Sequence, residues 1–199
     1  QAVHGQPPSE AEVEAIYETF IPLQLAALAH YAELIPGTLE AVTYFRRCGL
    51  KIGSNTGYNR DMVNILLAEA KRQGYEPDST VCASDVPAGR PEPWMAWRNA
   101  MELRVYPPEA MLKVDDTIPG IEEGLNAGMW TIGLAKTGNE LGLSEVEVAA
   151  LAAQTLQARL KQAYQRLYQA GAHYVVDEIG DVPAVLDEIA VRLNRGEKP

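Results

Sequence analysis

Three short polar sequences stand where apolar runs end, and each holds residue types that can act on a charged ligand. The first is Gly53-Ser54-Asn55-Thr56-Gly57-Tyr58. Hydroxyls, backbone N–H groups and a following helix N-terminus make a cradle for an anion such as phosphate. Alone, the same run is also an ordinary strand-to-helix turn with Asn59 or Thr56 as N-cap. The second is Asp85-Val86-Pro87-Ala88-Gly89-Arg90-Pro91-Glu92-Pro93. Prolines stiffen it, and Arg90 offers a fixed cationic fork for phosphate oxygens or for a carboxylate that must stay ionised. Its plainer reading is a surface arginine in a turn. The third is Lys113-Val114-Asp115-Asp116-Thr117-Ile118-Pro119-Gly120. Adjacent carboxylates repel unless a cation or basic group sits between them. Magnesium, which takes one or two carboxylates plus waters and phosphate, fits such a pair. Helix capping by the acids is the alternative.

These sequences need elements to hold them. Ser9 and Glu12 have capping-box spacing and open a helix expected to run to about residue 32, kinked or divided at Pro22. Pro36-Gly37 breaks the chain, and residues 38–48 read as an amphipathic helix. Short strands are then expected at residues 50–54, 81–83, 111–114, 129–134 and 174–176. Helices alternate with them at residues 61–73, 91–103 and 118–126, and at 182–193 after the last strand. A second capping box, Ser144 to Glu147, starts one long helix ending at Gly171. Alternating strands and helices predict an α/β fold, a parallel sheet with helices on both faces. Ligands bind such sheets beyond the carboxyl ends of the strands, where the three polar sequences fall. Trp94, Trp97 and Met101 share helical spacing and are expected in the core. His30 and His173 carry no assigned chemistry.

The 199 residues hold one ordinary domain, or one domain with a small appendage. A net charge of −10 disfavours nucleic acid and anionic membrane surfaces as partners, and no basic cluster offsets it. Cys48 and Cys82 are not spaced as a metal pair and read as buried thiols in a reducing cytoplasm. No apolar run approaches the roughly 18 residues of a membrane span.

A hydroxyl turn, a basic residue and a paired-acid strand end follow one another in the order of the second, third and fourth motifs of the haloacid dehalogenase superfamily. The resemblance narrows further. Lys51-Ile52-Gly53-Ser54-Asn55-Thr56-Gly57-Tyr58, the Ala88-Gly89-Arg90-Pro91 loop with Pro93-Trp94-Met95, and Asn126-Ala127-Gly128-Met129-Trp130-Thr131 resemble the phosphonoacetaldehyde hydrolases, or phosphonatases. The runs Gly138-Asn139-Glu140-Leu141-Gly142-Leu143-Ser144 and Gly171-Ala172-His173-Tyr174 fit as well.

That resemblance implies a Rossmannoid parallel-sheet core at residues 36–199 and the remnant of a helical cap at residues 1–35. It implies magnesium-dependent hydrolysis of the carbon–phosphorus bond of phosphonoacetaldehyde in a cytoplasmic homodimer. Thr56 would bind a phosphonate oxygen, with Ser54 and Asn55 shaping the turn, and Tyr58 would face the substrate or pack beside it. Arg90 would balance charge around the phosphoryl group. Asp116 would ligate the metal, and Asp115 would be a second ligand or its support. Some members carry glycine before this aspartate and a further acid where Gly120 stands. The attacking aspartate and the lysine that forms an imine with the aldehyde have no counterpart here, so an N-terminal truncation is expected. A phosphate-ester phosphatase of the same superfamily is the near alternative, and a non-catalytic fragment the remote one.

Overall fold

A computed structural model describes residues 7–28 and 30–199. The chain runs α1 (Glu10–Leu28), α2 (Thr38–Arg47), β1 (Gly53–Thr56), α3 (Arg60–Arg72), β2 (Ser79–Cys82) and α4 (Trp94–Leu103). It continues through β3 (Leu112–Asp115), α5 (Ile118–Asn126), β4 (Trp130–Leu134), α6 (Glu145–Ala150), α7 (Ala153–Gln169), β5 (Tyr174–Val176) and α8 (Val182–Asn194). Every ladder is parallel, as the alternation predicts, but the ladders fall in two sheets, β1-β2 and β3-β4-β5. Among the described residues no backbone ladder joins β1 to β3, and side chains bridge them instead.

Period-two alternation along β4 sorts the layers. Trp130 and Ile132 pack with Ala41 and Phe45 of α2 and with Val182 and Ile189 of α8. Across the sheet, Ile121, Ala163, Leu167 and Val175 join α5, α7 and β5. Gly133 lets α7 approach: a Cβ there would lie 3.0 Å from Leu167. On the smaller sheet, α4 presents Met95, Ala96, Asn99 and Ala100 as its buried side.

Both capping boxes form, Ser9 with Glu12 and Ser144 with Glu147. Several expectations are corrected. Pro22 lies within α1 without dividing it, and the chain is already in a turn at His30, short of residue 32. The long helix after Ser144 is two, because Leu151 and Ala152 take extended backbone between α6 and α7. β1 starts at Gly53, later than expected. Trp94, Trp97 and Met101 form an exposed stripe, with Met101 71% exposed, because α4 turns its Met95, Ala96, Asn99 and Ala100 face inward instead. Cys82 is buried as expected, whereas Cys48, at the end of α2, is exposed. Among the described residues no helix is long and apolar enough to cross a membrane.

Candidate functional site

Asp115 is the last residue of β3, and Asp116 begins the turn into α5. Thr117 caps that helix by accepting from the N–H of Gly120 at 3.1 Å. Its own N–H and hydroxyl donate to Asp115 Oδ1 at 3.0 and 2.8 Å. The other Asp115 oxygen lies 3.1 Å from Lys113 Nζ and 3.5 Å from Arg90 Nη1. Burial pushes the Asp115 carboxyl up, but the two cations and the Thr117 hydrogen bonds outweigh it and hold the group below the usual carboxylate range. No room is left beside it: a Cβ on Gly120 would run into the carboxylate.

Asp116 points to a different neighbour. Its Oδ2 accepts the backbone N–H of Asn139 at 3.0 Å, from the loop after β4.

Arg90 is held by three groups. Nη2 donates to the backbone carbonyl of Asn55 at 2.9 Å and to its side-chain oxygen at 2.8 Å. Nη1 faces Asp115, and Nε is 3.4 Å from Glu123 Oε2 without hydrogen-bond geometry. The Arg90 side chain is 19% exposed, with Nε fully buried.

Two charged groups that were not singled out from the sequence complete the cluster. Glu123 of α5 is 0% exposed. It accepts from Asn55 Nδ2 at 3.0 Å through each oxygen and from Lys113 Nζ at 2.7 Å. Lys113 also donates to Asn55 Oδ1 at 2.6 Å. The available signal was Lys113 itself, a charge inside an apolar strand that requires a buried partner.

The hydroxyl turn divides. Asn55 enters the cluster, whereas Ser54, one residue earlier in the strand, has its hydroxyl against the phenol of Tyr75. Its carbonyl accepts from Asn99 Nδ2 at 3.0 Å. Thr56 accepts the N–H of Tyr58 at 3.3 Å, and partly buried Tyr58 takes the N–H of Ala83 on its own carbonyl at 3.2 Å. Beneath the arginine loop, Asp85 accepts from Cys82 N at 2.8 Å and pairs with Arg60, while Arg98 donates to its carbonyl. The loop is therefore anchored at its first residue.

Among the described residues no three His, Cys, Asp or Glu side chains gather as a metal cage. The donor set suits magnesium at Asp116, a hard carboxylate with one oxygen hydrogen-bonded only to a backbone N–H. Asp115 suits it less, since a cation there would meet Lys113 and Arg90.

Comparison with known proteins adds to this geometry. The sequence model of the haloacid dehalogenase-like hydrolases matches residues 3–128. A phosphonoacetaldehyde hydrolase of Syntrophobacter fumaroxidans is 51% identical over 98% of this chain and 70% of its own length. One from Bacillus cytotoxicus is 49% identical over 95% of this chain and 72% of its own length. The crystal structure of a phosphonoacetaldehyde hydrolase-like protein from Oleispira antarctica superposes with a TM-score of 0.94 at 45% identity. That match covers 100% of this chain and 72% of the other.

Proposed function

This chain belongs to the phosphonoacetaldehyde hydrolase family of haloacid dehalogenase-like hydrolases, and from that premise we propose that it hydrolyses the carbon–phosphorus bond of phosphonoacetaldehyde to acetaldehyde and phosphate. The observation that carries this reading is the 51% identity, held over 98% of the chain, to a protein of that name.

The chemical difficulty is the leaving group, because a bare carbanion is far too basic to expel. An imine with a lysine lets the electron pair of the breaking bond delocalise as an enamine, while an aspartate takes the phosphoryl group and water then releases it. The resemblance assigns that aspartate and lysine to positions with no counterpart in this sequence, so these residues hold and orient. Arg90 is the cationic fork that faces the phosphoryl oxygens as charge is transferred. The hydroxyl of Thr56 accepts the N–H of Tyr58 and keeps its own hydrogen to donate to a phosphonate oxygen, and Tyr58 borders the substrate. Ser54 and Asn55 shape the turn, Ser54 against Tyr75 and Asn55 against Arg90. Asp116 is the metal ligand. Asp115 takes the supporting part, since both of its oxygens are already engaged. Magnesium, when bound, supplies positive charge that neutralises phosphonate oxygens.

The proposal extends to a helical cap segment at residues 1–35, a core at residues 36–199 whose first strand is not among these residues, and a cytoplasmic homodimer. The exposed Trp94, Trp97 and Met101 stripe of α4 supports the dimer.

Borohydride added with phosphonoacetaldehyde to the enzyme expressed from its complete gene should leave a reduced two-carbon adduct on one lysine per chain, seen by mass spectrometry. Hydrolysis of a phosphate ester without any such adduct would turn the reading to a phosphatase.

A further inference from the structure

We propose that Glu123 is a positioning residue for Arg90. This rests on Arg90 being the cation that faces the phosphoryl group.

A carboxylate that is 0% exposed is costly to keep unless cations and hydrogen-bond donors surround it. Glu123 has them, and they are selective. Its contacts are Lys113 Nζ, the Asn55 amide nitrogen shared between both carboxylate oxygens, and Arg90 Nε. Asn55 and Arg90 also bind one another, through Nη2 to the Asn55 carbonyl and side-chain oxygen. The amide that donates to Glu123 therefore presents its oxygen to Arg90. One carboxylate faces the guanidinium at Nε as an ion pair, 3.4 Å away, and holds it through hydrogen bonds by way of the amide.

Arg90 needs such a frame. It comes from the loop between β2 and α4, while everything that orients its guanidinium comes from β1, β3 and α5. A salt bridge serving only to fasten α5 to β3 would be satisfied by Lys113 alone, at 2.7 Å. The contacts to Asn55 and Arg90 are additional, and both sit at strand-end sequences. Displacing a charged group by about 1 Å in a site of this kind lowers turnover by about 100-fold.

The test compares Glu123→Gln in the enzyme expressed from its complete gene with the same change in an Arg90→Lys background. Turnover of phosphonoacetaldehyde and thermal melting are both recorded. Glu123→Gln should lower kcat by about 10–100-fold with little change in KM. In the Arg90→Lys enzyme it should lower kcat by less than about 3-fold more, while Tm still falls in both backgrounds because the buried bridge to Lys113 is weakened in each. An equal fold-loss of kcat in both backgrounds would mean that Glu123 acts on the fold and not through Arg90, and would overturn the inference alone. Full kcat in Arg90→Lys and in Arg90→Ala would overturn the Arg90 reading and this inference with it. If Glu123→Gln does not fold, the charge-free pair Lys113→Met with Glu123→Met removes both ions of the buried bridge together, a change such sites tolerate better. A folded pair variant with undiminished kcat contradicts the proposal, and one with depressed kcat supports it.

Discussion

The backbone N–H of Asn139 donates to Asp116 Oδ2 across 3.0 Å, tying the loop after β4 to the acid that follows β3. Gly138 makes this approach possible, since a Cβ there would lie 2.5 Å from the Cβ of Asp116. One oxygen is thus oriented by the backbone, which aims the carboxylate without adding a competing charge.

Asp116→Ala is expected to weaken magnesium binding and nearly abolish turnover, while Asp116→Asn keeps the Asn139 contact and loses the charge. Magnesium titrations of the enzyme expressed from its complete gene check this. An unchanged metal requirement in Asp116→Ala rules out the ligand role.

Asp115 and any side chain at position 120 compete for the same space. Gly120→Ala should therefore cost about 1–3 kcal/mol, as overpacking of a buried site does, and lower Tm accordingly. Gly120→Asp alone should cost more, since it sets a second carboxylate against the first. Moving the acid, with Asp115→Gly added to Gly120→Asp, should recover part of the loss. A Tm for Gly120→Asp above that of the double variant would show that the two positions are independent.

Stability should also respond to His173. Its Nδ1 accepts the N–H of Thr131 at 3.1 Å, which requires that nitrogen to be unprotonated. Burial, then the nearby Arg192 guanidinium, push its pKa below the usual histidine value of 6.5. The unfolded chain therefore binds the proton at higher pH than the folded one. The stabilisation is complete above about pH 6.5 and is lost as pH falls toward the folded value. Tm should drop between pH 7.5 and 5.5, and His173→Gln should flatten that part of the profile. An identical slope in the variant would remove His173 as the cause.

The exposed stripe on α4 gives the fourth expectation. Trp94 and Trp97 meet edge to face, with centroids 5.4 Å apart, beside the largely exposed Met101. If this is where two copies meet, Met101→Arg should convert a dimer to a monomer in analytical ultracentrifugation. A dimer that survives the change places the interface elsewhere.

Much of this was readable in the residues. The capping boxes, the break at Pro36-Gly37 and the strand-helix alternation are local signals, and they locate the elements to within a few residues. The layer each helix enters was less accessible. Trp94, Trp97 and Met101 have the right spacing for a buried stripe, but α4 packs through Met95, Ala96, Asn99 and Ala100, against β1 and β2 and, at Ala96, against Ala127 and Met129. In the candidate site, Asn55, Arg90 and Asp115 meet, and Asp116 takes the adjacent loop. Glu123 escaped notice because a charge on a helix ordinarily faces solvent; only the three-dimensional meeting of β1, β3 and the arginine loop buries it.

The most direct measurement is of products from phosphonoacetaldehyde, using the enzyme expressed from its complete gene, with 2-phosphoglycolate as a competing phosphate ester. Equal amounts of acetaldehyde and inorganic phosphate should appear, dependent on magnesium, with a higher kcat/KM than for the ester. Faster hydrolysis of the ester, with phosphonoacetaldehyde left intact, would contradict the account.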